Sequence, residues 1–169
     1  MWTVPNLLTI ARLAALPAVI ALFRHDYAFA AAGLFLVAAL TDCIDGWLAR
    51  RLDQCSTLGL YLDPVVDKIV ILVMIYELAY AQLIHSALPH LFLARELLHN
   101  GVRAAASVQG TVVGANWMGK TKAVMQNVLI MWGLLLTGLL PRLSSPWVAI
   151  LHTSLSAYAW VVLAISWGF

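Results

Sequence analysis

The chain has 169 residues, of which 63% are hydrophobic and 11% charged, and its formal net charge is +2. A soluble domain carries about a quarter charged residues, so the deficit places this chain among membrane proteins, and so small a charge with no basic tail argues against nucleic acid as a partner. The two cysteines, Cys43 and Cys55, have no second pair to suggest a zinc site and read as incidental, reduced thiols.

An apolar run begins at once with no cationic region before it, so no cleavable signal peptide is expected. Trp2 suits a short interfacial segment, and Asn6 is placed to cap a first helix from Leu7 to Phe23. Asn6, Thr9 and Arg12 recur every third residue and form one polar stripe, which by itself also suits the solvated face of an interfacial helix. Further apolar runs lie at about Tyr27 to Ala49, Leu58 to Ile84, Leu88 to Ala106, Trp117 to Leu140 and Pro146 to Trp167. Each is near the roughly 20 residues that cross hydrocarbon. Pro17, Pro64 and Pro89 lie in or beside such runs, where neighbouring helices can satisfy a freed carbonyl. The expected fold is all-α, an integral membrane bundle of six transmembrane helices with a short N-terminal interfacial segment, forming one domain over residues 1–169.

Charge sets the orientation. Arg50, Arg51, Arg103, Lys120 and Lys122 are expected in the loops after the second and fourth helices, whereas the other side offers Arg24 and Arg142. The cationic side is therefore expected in the cytoplasm.

Four carboxylates interrupt the apolar pattern in the stretch Asp42-Cys-Ile-Asp45-Gly46-Trp-Leu-Ala49-Arg50, eight residues, then Gly59-Leu-Tyr-Leu-Asp63-Pro-Val-Val-Asp67-Lys68. An ionised group in hydrocarbon costs at least a few kcal/mol, so intramembrane acids mark function by default. Asp42 and Asp45 are three apart and Asp63 and Asp67 four apart, which puts each pair on one helix face. If the chain turns between Arg51 and Leu58, the pairs face each other. Carboxylates that close repel one another, and divalent cations with a taste for hard oxygen ligands, magnesium or manganese, relieve the repulsion. Gly46 and Ala49 leave a bare helix surface on which a bulky ligand can lie, and Arg50 and Arg51 offer guanidinium forks for phosphate. The residues thus describe a metal and phosphate site at a membrane surface. In such a site the metals offset charge on the attacked phosphorus and leaving phosphate, and a carboxylate less committed to metal can take a hydroxyl proton.

The pattern Asp-x2-Asp-Gly-x2-Ala-Arg-x8-Gly-x3-Asp-x3-Asp, met at Asp42, Asp45, Gly46, Ala49, Arg50, Gly59, Asp63 and Asp67, resembles the signature of the CDP-alcohol phosphotransferase family. That resemblance implies transfer of a substituted phosphate from a CDP-linked donor to an alcohol, with release of CMP. It implies that Asp42, Asp45 and Asp63 are ligands of magnesium or manganese, two ions in all, and that Asp67 is both a ligand and the base. It also implies that Gly46, Ala49, Arg50 and Ser56 line the CDP-lipid site and that the Pro5-Asn6-x2-Thr9-x2-Arg12 opening helps to hold the nucleotide, through Asn6 and Thr9. A homodimer in the bacterial inner membrane, with its active site facing the cytoplasm, follows from the same likeness.

A second polar cluster holds Arg95-Glu96, His99-Asn100, Arg103 and then Trp117-Met-Gly119-Lys120-Thr-Lys122. Arg95, His99 and Arg103 share a helix face, and Glu96 is placed to neutralise a neighbouring arginine. As topology determinants these cations would only snorkel to the interface; as a functional group, Arg95, Arg103, Lys120 and Lys122 collect an anionic head group. Within the family the chain is most similar to the bacterial members that join CDP-diacylglycerol to glycerol 3-phosphate. It departs from them at Ala123, where threonine is usual, and in the polar run Leu98-His99-Asn100. Alternative acceptors are phosphatidylglycerol, giving cardiolipin, or an inositol phosphate, serine or choline. Membrane prenyltransferases also bind magnesium pyrophosphate through aspartates but need two motifs far apart in sequence, and a transporter would not need Gly46, Ala49 and Arg50 at these offsets.

Overall fold

A computed structural model describes residues 4–52, 57–108 and 117–168, and within them it leaves the side chains of 4–8, 42–52, 57–63, 107, 108 and 117–120 undescribed. Six helices follow one another: α1 (Val4–Arg24), α2 (Ala28–Leu52), α3 (Thr57–Tyr80), α4 (Ala87–Val108), α5 (Trp117–Leu139) and α6 (Ser145–Trp167), with a 3-10 turn at Leu140–Arg142. No strand occurs among the described residues, so the chain is all-α as expected.

The helices differ from the apolar runs mainly at their ends. The first starts at Val4, so Asn6 lies inside α1 instead of capping it; Pro5 in the opening turn loses no hydrogen bond there. The second runs to Leu52, three residues beyond its apolar stretch, and takes Arg50 and Arg51 into its last turn. Arg103 and Lys122 likewise stand on α4 and α5, not in a loop. Hydropathy stops where polar side chains begin, but backbone hydrogen bonding continues through residues such as arginine and lysine that favour helix. The third helix ends at Tyr80, four residues early, in a turn containing Gln82 at φ 60°, whose carbonyl accepts a 2.7 Å hydrogen bond from His152 on α6.

α1 packs on α2, α2 on α5, and α6 on α4 and α5, while α3 packs on α1, α4 and α5. Its buried stripe Val66, Val70, Met74, Leu78 repeats every four residues and meets Leu129, Ile130 and Leu134 of α5 in the core. Gly133 makes room for the Leu78 side chain between α3 and α5: a Cβ there would stand 2.5 Å from Leu78 Cδ2.

Polarity is distributed as in a protein surrounded by lipid. Arg12, Glu77, Arg95, Glu96 and Gln126 are buried, while Leu36, Val37, Leu97, Val102, Val124, Ile150 and Val161 are exposed. Apolar side chains turned outward need an apolar neighbour, and buried charges need partners. At the end of the bundle away from Asp67, Arg24 forks onto Glu77 at 2.7 and 2.9 Å and lies 5.0 Å from the Tyr80 ring centre, tying α1 to α3. Among the described residues, Thr121–Arg142 and Ser145–Trp167 are long and apolar enough to cross a membrane, and Ala28–Thr41 is a shorter apolar stretch.

Candidate active site

Four helices, α1, α3, α4 and α5, bring ionisable groups to the end of the bundle near Pro64. The helical turn after Pro64 carries Val66 into the core and leaves Asp67 half-buried beside it. From α1, Arg12 reaches across and its guanidinium donates to Asp67 Oδ1, forming an ion pair between residues 55 apart in sequence. Thr9, one turn before Arg12, is also buried. Two of the three residues of the polar stripe predicted for the first helix are therefore turned inward; Asn6 has no described side chain.

Beyond Asp67 lies a cavity of about 190 Å³ lined by Pro64, Asp67, Lys68, Ile71 and Leu72 of α3, Glu96 of α4, and Lys122, Ala123 and Gln126 of α5. Glu96 is its most connected member. Its Oε1 accepts from Arg95 Nη1 at 3.0 Å and pairs with the Lys122 ammonium, and its Oε2 lies 3.8 Å from Lys68 Nζ. Lys68 in turn donates to Asn100 Oδ1. The polar run Leu98-His99-Asn100 therefore has a structural use, since Asn100 anchors a lysine of the cavity. Arg95 is buried and donates through Nε to the Ser166 carbonyl at 2.5 Å, so it ties the last turn of α6 to α4.

The predicted site residues thus fall into three groups. Asp67, Thr9, Arg12, Arg95 and Lys122 have described side chains; Asp67 and Lys122 line one cavity, and Arg95 is joined to it through Glu96. Arg103 is exposed two turns further along α4. Asp42, Asp45, Gly46, Ala49 and Arg50 on α2, Asp63 on α3, Asn6 on α1 and Lys120 on α5 lie on described helical backbone with undescribed side chains, and Ser56 lies outside the described residues altogether. Sequence reasoning passed over Lys68, which it quoted in the motif without a role, and Gln126, whose signal is only a polar residue on the buried face of α5. It also gave Glu96 a single arginine to neutralise where three cations surround it.

Such a site can hold an anion against lysines beside an acceptor of protons. Asp67 offers hard oxygen at the cavity wall, and Asp63 stands one helical turn before it. Hard oxygen of this kind suits a divalent cation, and among the described residues no group of three or more such ligands gathers.

The chain belongs to the CDP-alcohol phosphatidyltransferase family, whose model matches residues 2–168. It is a transferase of phospholipid synthesis by that membership. Among curated relatives it is 38% identical over 99 residues to the CDP-diacylglycerol--glycerol-3-phosphate 3-phosphatidyltransferase of Mycoplasma genitalium, a match covering 59% of this chain and 42% of that protein. It is 36% identical over 140 residues to the enzyme of the same name from Escherichia coli strain K12 and 35% identical over 140 residues to that of Salmonella choleraesuis, each match covering 78% of this chain and 76% of the relative.

Proposed function

We propose that the protein transfers the phosphatidyl group of CDP-diacylglycerol to a hydroxyl of glycerol 3-phosphate, producing phosphatidylglycerophosphate and CMP. The observation that carries this reading is the cavity itself, where Asp67 shares one small space with Lys68 and Lys122. A phosphorylated alcohol has the matching chemistry: an anion for the lysines and a hydroxyl for the carboxylate. At about 190 Å³ the cavity is small beside the roughly 300–1,000 Å³ of pockets that take drug-sized ligands, which favours a small polar acceptor over a second phospholipid.

In this reading Asp67 accepts the proton of the attacking hydroxyl, whose oxygen bonds to the phosphatidyl phosphorus as the bond from that phosphorus to CMP breaks. Arg12 holds the Asp67 carboxylate, and Lys122 with Lys68 orients the acceptor phosphate; Arg103 and Lys120 extend the cationic approach to it. Asp42, Asp45, Asp63 and Asp67 would hold two magnesium or manganese ions, which supply electrostatic stabilisation of the pyrophosphate when bound. Asn6, Thr9, Gly46, Ala49, Arg50 and Ser56 form the CDP-lipid side. All six helices span the bacterial inner membrane as one domain over residues 1–169, the site opens to the cytoplasm, and the working unit is a homodimer.

The test is CMP release by purified protein in detergent with CDP-diacylglycerol and magnesium. Glycerol 3-phosphate is compared with phosphatidylglycerol, inositol phosphate, serine and choline, and Asp67→Asn serves as control. Release with glycerol 3-phosphate alone, lost in the variant, is expected. Release with another acceptor in its place would refute the acceptor, and release undiminished in Asp67→Asn would refute the base.

A further inference from the structure

A carboxylate in the wall of a phosphate-binding cavity opposes the charge it should attract, so Glu96 needs its own explanation. The side chain is 5% exposed. Its Oε1 takes both Arg95 and Lys122, whereas Oε2 is buried without a hydrogen-bond partner among the described residues, with Lys68 Nζ beyond hydrogen-bond reach at 3.8 Å. Orienting Arg95 and Lys122 accounts for Oε1 alone. A buried carboxylate oxygen with no donor is costly, and orphans of this kind in a cavity wall mark a place where a ligand donates.

We infer that Glu96 Oε2 accepts a hydrogen bond from the acceptor's second hydroxyl, the one that does not attack. Glu96 is then a specificity-determining residue that selects a phosphorylated diol over a phosphorylated mono-alcohol. The inference rests on the acceptor reading given above. Glycerol 3-phosphate has a phosphate for the lysines, a terminal hydroxyl for Asp67, and a middle hydroxyl that no group assigned so far receives. Glu96 lies on the cavity wall contributed by α4, between the α3 wall with Asp67 and Lys68 and the α5 wall with Lys122 and Gln126. Its Oε1 pairs with Lys122 and its Oε2 lies 3.8 Å from Lys68, so an acceptor whose phosphate sits on these lysines lies beside Glu96. A hydroxyl donating to a carboxylate makes a charge-assisted bond, stronger than a neutral one. A site built to bond a hydroxyl discriminates sharply against an analogue lacking it, because its own buried polar atom is then left unpaired.

The experiment compares glycerol 3-phosphate with 3-hydroxypropyl phosphate, which keeps the phosphate and the terminal hydroxyl and lacks the middle one. CMP release is measured with full-length protein in detergent, and the readout is the ratio of kcat/KM for the two acceptors within one preparation. That ratio is independent of the fraction of protein that is folded. The unaltered protein is expected to prefer glycerol 3-phosphate by about tenfold to a hundredfold. Glu96→Gln, which keeps the shape and loses the charge, should reduce the preference severalfold, and Glu96→Ala should bring it within about twofold of unity. Equal use of both acceptors by the unaltered protein, or a ratio unchanged in both variants while both rates fall together, overturns the assignment and leaves the acceptor reading standing. Use of neither acceptor removes that reading, and this inference with it.

Discussion

Arg12 couples the first helix to Asp67, the carboxylate proposed as the base, and the size of that coupling can be worked from burial. Arg12 is 7% exposed, whereas the Asp67 side chain is 38% exposed. Removing one member of a fully buried ion pair costs about 3–5 kcal/mol, because the other charge stays behind in a medium that cannot solvate it. Here the remaining carboxylate still meets water, so Arg12→Met should cost less, about 2 kcal/mol, within the range for a hydrogen bond to a charged group. Methionine is long and unbranched and keeps the apolar contacts of the arginine stem, so the change isolates the charge. Unfolding in detergent would be followed for the unaltered protein, Arg12→Met, Asp67→Asn and the double variant, a cycle that extracts the mutual term even though both residues have other partners. A coupling of about 1.5 kcal/mol is expected. Additivity within about 0.3 kcal/mol, the behaviour of independent sites, would refute a direct pair. In the same preparations Arg12→Met should lower kcat by about tenfold or more, which corresponds to about 1.4 kcal/mol in the barrier.

Lys122→Ala should raise KM for glycerol 3-phosphate by about tenfold to a hundredfold, the worth of a charge-assisted bond to phosphate, with KM for CDP-diacylglycerol little changed. A matched rise in both would detach Lys122 from the acceptor. Chelation with EDTA should abolish CMP release, and magnesium or manganese should restore it while calcium, larger and looser in coordination, restores less. Gly133→Ala, whose Cβ would stand 2.5 and 2.8 Å from the two Leu78 methyl carbons, should cost about 1–3 kcal/mol of stability by forcing α3 and α5 apart; the unfolding midpoint in detergent measures it.

Much of this protein is legible in one dimension because its surroundings are. A chain of this composition must satisfy its backbone within each segment, so helices follow from apolar length alone, and six appear where six runs stand. The aspartate motif is equally local: its spacing is set by helical periodicity and needs no knowledge of neighbours. What fails is anything that depends on where a long side chain ends. Arg103 and Arg95 share a face of α4 and look alike in sequence, yet one is exposed and the other is buried against the Ser166 carbonyl. Glu96 is adjacent to one cation in sequence and meets three in space.

The sequence by itself determined the class of chain, the order of its helices, the family and the spacing of the aspartate motif, since each depends on composition or on residues within a few turns of one another. Only the tertiary structure decided which charges meet. The Arg12–Asp67 pair spans 55 residues and the Arg95–Ser166 bond 71, and both exist because α3 and α4 pack against helices distant in the chain. The packing of α3 on α4 and on α5 turns two separate polar stretches, one around Asp67 and one around Glu96, into the walls of a single cavity, because buried charges find their partners wherever packing puts them, not where the chain does.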